Sequence, residues 1–457
     1  MEVPIGVAAG SDPVRVVDIP ERLVNKLDLL FVVDNSEEMS RLQQQLTQSF
    51  RLLYNQLAQN EIGLADLHVG VISTDLGVQD YAGQVDCSYS GDGGRLIQRS
   101  CVPSGERFLR QEHDPDGTLH ANFQLGADPD AAIVEAFSCM ANLGSDGCDY
   151  EQPLAAMEIA LSRVHPESAD FFRDDAVLGV VFLTNEDDCS VVDPTLFDPD
   201  NPDFNYASPD FRCFDHGVMC NGDDVRLVGR FDDCFPHPHS DYVADIEHPI
   251  RVLEAARPAD RLVVAGVMGD ASLVEVVQSL DGDPQLVPGC DDAVTGSAAY
   301  PAVRLQAFID SFAGGVVMPL CGERARPLDP LLIPASRLRR ALGTSCLYGA
   351  IGDSDDLAPG VQPACDVYRV TRGNPNVAAD GVLHSVPACD DPVAPGSSSQ
   401  LPCYVIAGSP ACGGGAFDSN LALTIYGENG LPSGGGDRKI GLTSERVYAD
   451  CVVETGE

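Results

Sequence analysis

Only two of the 457 residues are lysines, Lys26 and Lys439, and the basic residues together number 28 against 70 acidic ones. The formal charge of −42 repels nucleic acid phosphates and anionic lipid headgroups alike, so neither is an expected partner. Cations and basic surfaces remain. A plainer use of so much acid is a solvated surface that keeps an exported protein in solution. No stretch reaches the roughly 18 apolar residues needed to cross a membrane, so no transmembrane segment is predicted. Met1 to Asp18 lack both the charged start and the apolar run of an export signal. The expectation is a mature chain from which that signal was removed, leaving open a lipid anchor on the removed N-terminus.

Catalytic signatures are equally scarce. There is no H-E-x-x-H helix for zinc and no G-x-S-x-G elbow for a nucleophile. His237-Pro238-His239 and His248 read as loop rather than as zinc ligands. Asp187 and Asp188 stand too close in sequence to be assigned as an acid and a base. The glycine-rich segments 413–415 and 434–436 lack the lysine and helix of a phosphate loop and read as turns. Asp198, Asp200 and Asp203 lack the glycine and final glutamate of an EF-hand and read as a solvated loop. The chain is not expected to be an enzyme.

The sixteen cysteines are even in number and show no repeated C-x-x-C spacing, which points to disulfides formed in an oxidising compartment rather than to zinc. All or nearly all should be paired. Cys87 with Cys101, Cys139 with Cys148 and Cys403 with Cys412 are the expected local pairs.

The organising stretch is Leu27 to Met39. Leu29 to Val33 is an uninterrupted apolar run, which predicts a strand buried on both faces. It ends in Asp34, Ser36 and Glu38, after which Met39, Leu42, Leu46, Phe50, Leu53 and Leu57 predict an amphipathic helix. Polar oxygens are thereby delivered to the carboxyl end of a central strand, where open α/β sheets bind ligands.

Asp34-Asn35-Ser36-Glu37-Glu38 resembles the Asp-x-Ser-x-Ser metal-ion-dependent adhesion site of von Willebrand factor A (VWA) domains, with Glu38 in place of the second serine. FVVDNS, HVGVISTDLG and VVFLTNEDDCS are similar to segments of secreted, cysteine-rich VWA proteins of myxobacteria and their relatives. The resemblance covers roughly residues 25 to 345. It implies a doubly wound, mainly parallel α/β sheet and a divalent cation, calcium or magnesium, held by Asp34, Ser36, Glu38, Glu151 and Asn185. Besides Glu38, two of these depart from the pattern. Glu151 stands where the family supplies a threonine, and Asn185, followed by Glu186, Asp187 and Asp188, stands where it supplies an aspartate. Carboxylates at 38 and 151 would neutralise the ion internally, and such a site grips a foreign carboxylate less. The other reading of the crevice is a vestigial acidic pocket.

In chain order, residues 1–24 read as a lead-in without periodicity and 25–345 as the VWA-like domain. Strands are predicted over Leu67 to Thr74, Val177 to Thr184, Leu262 to Val267 and Val316 to Leu320. Helices are predicted around Ile133, Phe137 and Met140, from Pro153 through Val164, over Tyr242 to Ala256 with a break near Pro249, and around Leu305, Phe308, Ile309 and Phe312. Residues 75–128 and 190–240 are too long for connections and read as surface insertions that carry recognition. Residues 346–457 read as a small cysteine-rich, β-leaning module packed on the main domain. Three functions fit: an extracellular or surface-displayed binding protein for a protein or glycan, a structural subunit that assembles with copies of itself or with envelope components, and, third, an unrecognised hydrolase.

Overall fold

A computed structural model of the chain describes residues 14–19, 24–58, 66–82, 87–114, 118–204, 208–220, 225–272, 274–280, 282–292, 297–313, 315–321, 330–342, 346–348, 365–372, 381–390, 398–408, 418–426 and 445–452. The chain divides into two compact units, one of Lys26–Leu57 with Ala65–Leu338, the other of Met1–Asn25, Ala58–Leu64 and Arg339–Glu457. The first strand, β1 (Val14–Ile19), belongs to the second unit.

The larger unit opens with β2 (Lys26–Val33), α1 (Ser40–Ala58), β3 (Asp66–Ser73), β4 (Phe108–His113) and β5 (Leu119–Ala121). Then come α2 (Pro129–Ala141), α3 (Pro153–Leu161), α4 (Pro166–Phe171), β6 (Val177–Leu183), α5 (Pro209–Gly217), β7 (Val218–Cys220), β8 (Gly229–Phe231) and β9 (Cys234–Pro236). It continues through α6 (Glu247–Ala256), β10 (Leu262–Met268), β11 (Val274–Gln278), β12 (Pro284–Leu286), β13 (Cys290–Asp292), β14 (Ser297–Ala299), α7 (Val303–Asp310) and β15 (Val316–Pro319).

Its main sheet runs β15-β10-β6-β2-β3-β4-β5. The first five strands pair in parallel, and β4 and β5 continue antiparallel. This is the doubly wound, mainly parallel α/β fold expected, and the reason lies in β2. Leu29 to Val33 are all fully buried because successive side chains enter cores on opposite faces of the sheet. Phe31 lies against α1 and α2, 4.7 Å from Phe137, which itself stacks on Phe50 at 3.8 Å. Leu30 and Val32 join Leu154, Met157, Leu253 and Phe308 from α3, α6 and α7 on the other face. Each such side chain contributes about 1.5–3 kcal/mol of burial.

Three expectations change. The predicted helix through Val164 stops at Leu161, and Val164 lies beyond it, 71% exposed. The helix before β10 starts only at Glu247, so Pro249 falls in its first turn, where no backbone N–H is needed, and breaks nothing. The first insertion is not peripheral. Its β4 pairs with β3 from Leu67↔Gln111 to Gly70↔Phe108, and Val78, Leu96, Val102, Phe108 and Phe123 are buried.

The expected local disulfides are not those formed. Cys87 pairs with Cys148 and Cys101 with Cys139, so both cysteines of the first insertion reach out of it, to the loop before α3 and to α2. Cys189–Cys213, Cys220–Cys234, Cys290–Cys321 and Cys389–Cys403 complete those with both partners described. Cys403 therefore does not bond Cys412, which lies outside the described residues. No cysteine among those described is free. Proximity in sequence was a poor guide because β-pairing had already folded the insertion onto the sheet.

After α8 (Leu332–Leu342), the second unit holds β16 (Cys346–Tyr348), β17 (Cys365–Arg372), β18 (Gly381–Val386), β19 (Cys403–Gly408), β20 (Asp418–Tyr426) and β21 (Glu445–Val452). They form the sheets β1-β21-β17-β18 and β16-β20-β19, all antiparallel. Val14–Ile19, within the segment read as a lead-in, is thus a strand beside β21. Segments 413–415 and 434–436 lie outside the described residues. Among those described, no helix is long and apolar enough to cross a membrane.

Candidate functional site

The parallel ladder runs one residue past the strands. Asp34 donates its amide to Leu183 at 2.9 Å, Thr74 to Val33 at 3.3 Å and Thr184 to Val267 at 3.2 Å. Asp34, Thr74 and Thr184 therefore stand side by side at the carboxyl ends of β2, β3 and β6. Asp34 is fully buried. Its Oδ1 accepts from the amide of Ser36 at 2.8 Å and from its hydroxyl at 2.7 Å, and its Oδ2 accepts from the Thr184 hydroxyl at 2.9 Å.

Glu151 enters from the loop before α3 and is also buried, its Oε2 accepting from the Thr74 hydroxyl. Its Oε1 has no hydrogen-bond partner, and neither do the buried Oδ1 atoms of Asn35 and Asn185. Burial pushes the Asp34 carboxyl up against the pull of its hydrogen bonds from Ser36, Thr184 and the Asn185 amide. Glu151 is pushed well above the carboxylate range, first by burial and then by the charges of Asp34 and Asp75. Asp75, raised by burial, takes the Gly77 amide at 2.7 Å. Gly91, at φ +50°, lies so close that a Cβ there would sit 2.3 Å from the Asp75 carbonyl oxygen.

Two buried carboxyl groups this close call for a shared proton or a cation. The donor set suits a hard cation, calcium or magnesium, since every candidate ligand is oxygen. Partnerless, buried Glu151 Oε1 and Asn185 Oδ1 fit that ion: a lone pair in a dry site costs about 1–3 kcal/mol unless something positive faces it. Asp34, Ser36, Glu151 and Asn185 would hold the ion, which would supply the positive charge the carboxylates lack. Among the described residues no group of three His, Cys, Asp or Glu side chains is arranged for a metal. Ser36 and Asn185 would thus complete the set as neutral ligands. Glu38 lies in the turn Glu37–Met39, and its side chain is outside what is described.

The acidic neighbours of Asn185 do other work. Asp187 accepts the amides of Arg304 and Leu305 at the start of α7, at 2.9 and 3.0 Å. Asp188 accepts the Leu154 amide at 3.1 Å and the Ser190 hydroxyl at 2.6 Å at the start of α3. Consecutive aspartates thus cap two different helices, each complementing an N-terminal dipole. Burial pushes Asp187 up to about 6 against the opposing charge of Arg304. His248 bonds Glu158 at 2.5 Å rather than joining a histidine cluster.

The crevice is roofed. A cavity of about 20 Å³, room for one water-sized particle, is bounded by Glu151, Glu186, Cys213, Phe214, Leu286 and Tyr300. The Tyr300 amide bonds the Asn185 carbonyl at 2.8 Å, and Cys189–Cys213 fastens α5 over the loop.

Sequence reasoning missed Thr74, Asp75 and Thr184. The signal was present, since Thr74 and Thr184 directly follow buried strands in LHVGVISTD and VLGVVFLT, the position Asp34 holds after β2, and Asp75 is the next residue.

No protein-family model matches the chain, and no curated protein matches it in sequence. Among solved structures it is similar to a von Willebrand factor type A protein from Catenulispora acidiphila, at 12% identity over 98% of this chain and 68% of that one, TM-score 0.28. It is similar to the pilus adhesin SpaC of Lactobacillus rhamnosus GG, at 10% identity over 93% of this chain and 38% of that one, TM-score 0.32. It is likewise similar to the human COPII-coat protein Sec24c, at 8% identity over 94% of this chain and 44% of that one, TM-score 0.31. Identities this low leave the site to be read from its own geometry.

Proposed function

We propose that this is an extracellular, non-catalytic binding protein of VWA type whose crevice holds one divalent cation, calcium before magnesium, as a closed brace. The insertions, rather than the ion, then present the surface that meets a protein or glycan. The observation that carries this is Glu151 Oε1, buried and without a donor beside the buried Asp34 carboxylate. Calcium accepts loose, carboxylate-rich coordination, whereas magnesium demands a compact octahedron. Disulfides throughout both units and a charge of −42 support an oxidising, extracellular setting.

A structural subunit that assembles with copies of itself is the second reading. The burial of Asp34, Ser36, Glu151 and Asn185 favours it, because an ion held among such covered groups offers little to a partner's carboxylate. Thermal unfolding with calcium, with magnesium and with chelator tests the first reading. Calcium at a hundred times its dissociation constant should stabilise by about 2.7 kcal/mol, and Asp34→Ala with Glu151→Ala should abolish the response. A midpoint indifferent to all three additions sinks it. Sedimentation over a range of concentrations tests the second.

A further inference from the structure

A second polar cleft lies outside the crevice, between the glycine-rich turn of the first insertion and the start of α4. Its volume is about 450 Å³, within the range of small-molecule sites, and it is open to solvent. Arg95, Arg107 and His165 line it together with Ser90, Asp92 and Ile97. Two guanidinium groups converging on one cleft are notable in a chain with 28 basic and 70 acidic residues.

Both are held in place from behind. Glu167 accepts from Arg95 Nε at 2.8 Å and lies 3.5 Å from Arg107 Nε, while Arg107 Nη1 donates to the Leu96 carbonyl at 2.7 Å. Among the described residues the terminal nitrogens of Arg95 and Nη2 of Arg107 have no acceptor. The turn opposite is equally fixed: His165 Nε2 donates to the Gly93 carbonyl at 3.2 Å, and Asp92 accepts the Ser73 hydroxyl at 2.7 Å. The cleft therefore brings together two guanidinium groups held from behind, a carboxylate and a hydroxyl.

We propose that this cleft binds an acidic sugar of the uronic-acid class. Terminal guanidinium nitrogens pair a planar carboxylate in bidentate fashion. A simple carboxylate would be repelled by Asp92, whose Oδ2 accepts from Ser73 while its Oδ1 is left for a donor that such a ligand lacks. A ligand carrying hydroxyl donors beside its carboxylate satisfies Asp92 and Ser90 as well. Among the described residues Ile97 is the only large apolar liner and the His165 imidazole the only ring, so an apolar ligand has little to bury against. The proposal is independent of any cation in the crevice.

Calorimetric titration of the full chain in chelator, with galacturonate, galactose, acetate and inorganic phosphate, tests it. Galacturonate should bind saturably. Galactose and acetate should each bind at least about tenfold more weakly, and phosphate no better than acetate. Arg95→Gln, at a side chain 42% exposed, should weaken galacturonate about tenfold or more while leaving the unfolding midpoint in place. Ser90→Trp should block the cleft without touching the arginines. The proposal is overturned if galacturonate fails to bind, if galactose, acetate or phosphate binds as well, or if both folded variants bind like the parent.

Discussion

Arg304 and Asp188 form an ion pair at 2.9 Å with side chains only 1% and 0% exposed. The guanidinium also donates to the carbonyls of Asp188, Gly217 and Ala244, so Arg304 ties the third strand-end loop to α5 and to the segment before α6. Removing one partner of such a pair strands the other in a dry core. Arg304→Ala should cost about 3–5 kcal/mol in urea-induced unfolding. Asp188→Ala should cost a similar amount, and the double variant should lie nearer either single than their sum. Strict additivity would mean that the two groups act separately.

What was legible in the sequence follows from where its signals come from. The runs at Leu29 to Val33, Val177 to Leu183 and Leu262 to Val267 could only be central strands, and the periodic leucines after Ser40 could only face them. The sheet and its switch point were therefore readable. Asp34, Ser36, Glu151 and Asn185 lie together because each follows or precedes a buried element that fixes its position, while the Glu38 side chain lies outside what is described. The roles of Asp187 and Asp188 were not readable, since a carboxylate that caps a helix and one that binds a cation look alike until the distant helix start at Val303 is in place. Disulfide pairing was hidden for the same reason: Cys101 meets Cys139 only after β4 has joined β3.

The disulfide pattern makes its own prediction. Peptide mapping under non-reducing conditions should recover Cys87 with Cys148 and Cys101 with Cys139, never Cys87 with Cys101. The loops closed span 61 and 38 residues, so on the chain-entropy account Cys101→Ala with Cys139→Ala should cost about 4 kcal/mol.

Asp28 and His68 give a pH test at the other end of the sheet. Asp28 accepts the Arg173 amide at 2.7 Å and its Nε at 2.8 Å, yet burial pushes its carboxyl up to about 6. His68, 3.8 Å away, is pushed down to about 4 by burial and by the charge of Arg173. A raised acid contributes stability that is complete below its unfolded value of 3.8 and is lost as pH rises through about 6. A depressed histidine contributes stability that is complete above 6.5 and is lost as pH falls through about 4. The two oppose each other across one window. His68→Gln should therefore gain stability relative to the parent as pH falls from about 6.5 to about 4.5, and Asp28→Asn should lose it, both read from urea midpoints. Parallel pH profiles for all three proteins would contradict the assignment.

The crevice yields a prediction whose sign depends on the ion. Without a cation, Glu151 keeps its proton only because burial and the charges of Asp34 and Asp75 hold its carboxyl so high. Glu151→Gln removes that titrating group while preserving its size and an oxygen that can accept from Thr74. In chelator at about pH 7 to 8 the variant should be as stable as the parent or more so, by up to about 2 kcal/mol, because it no longer has to hold a proton that the unfolded chain has released at that pH. In saturating calcium the order should invert, since an amide oxygen brings no charge to the ion and the parent alone collects the full binding free energy. The measurement is the difference in unfolding midpoint between the two proteins in each buffer. A variant less stable by the same margin in both would show that Glu151 acts only through its hydrogen bond to Thr74, and that the crevice needs no ion to close.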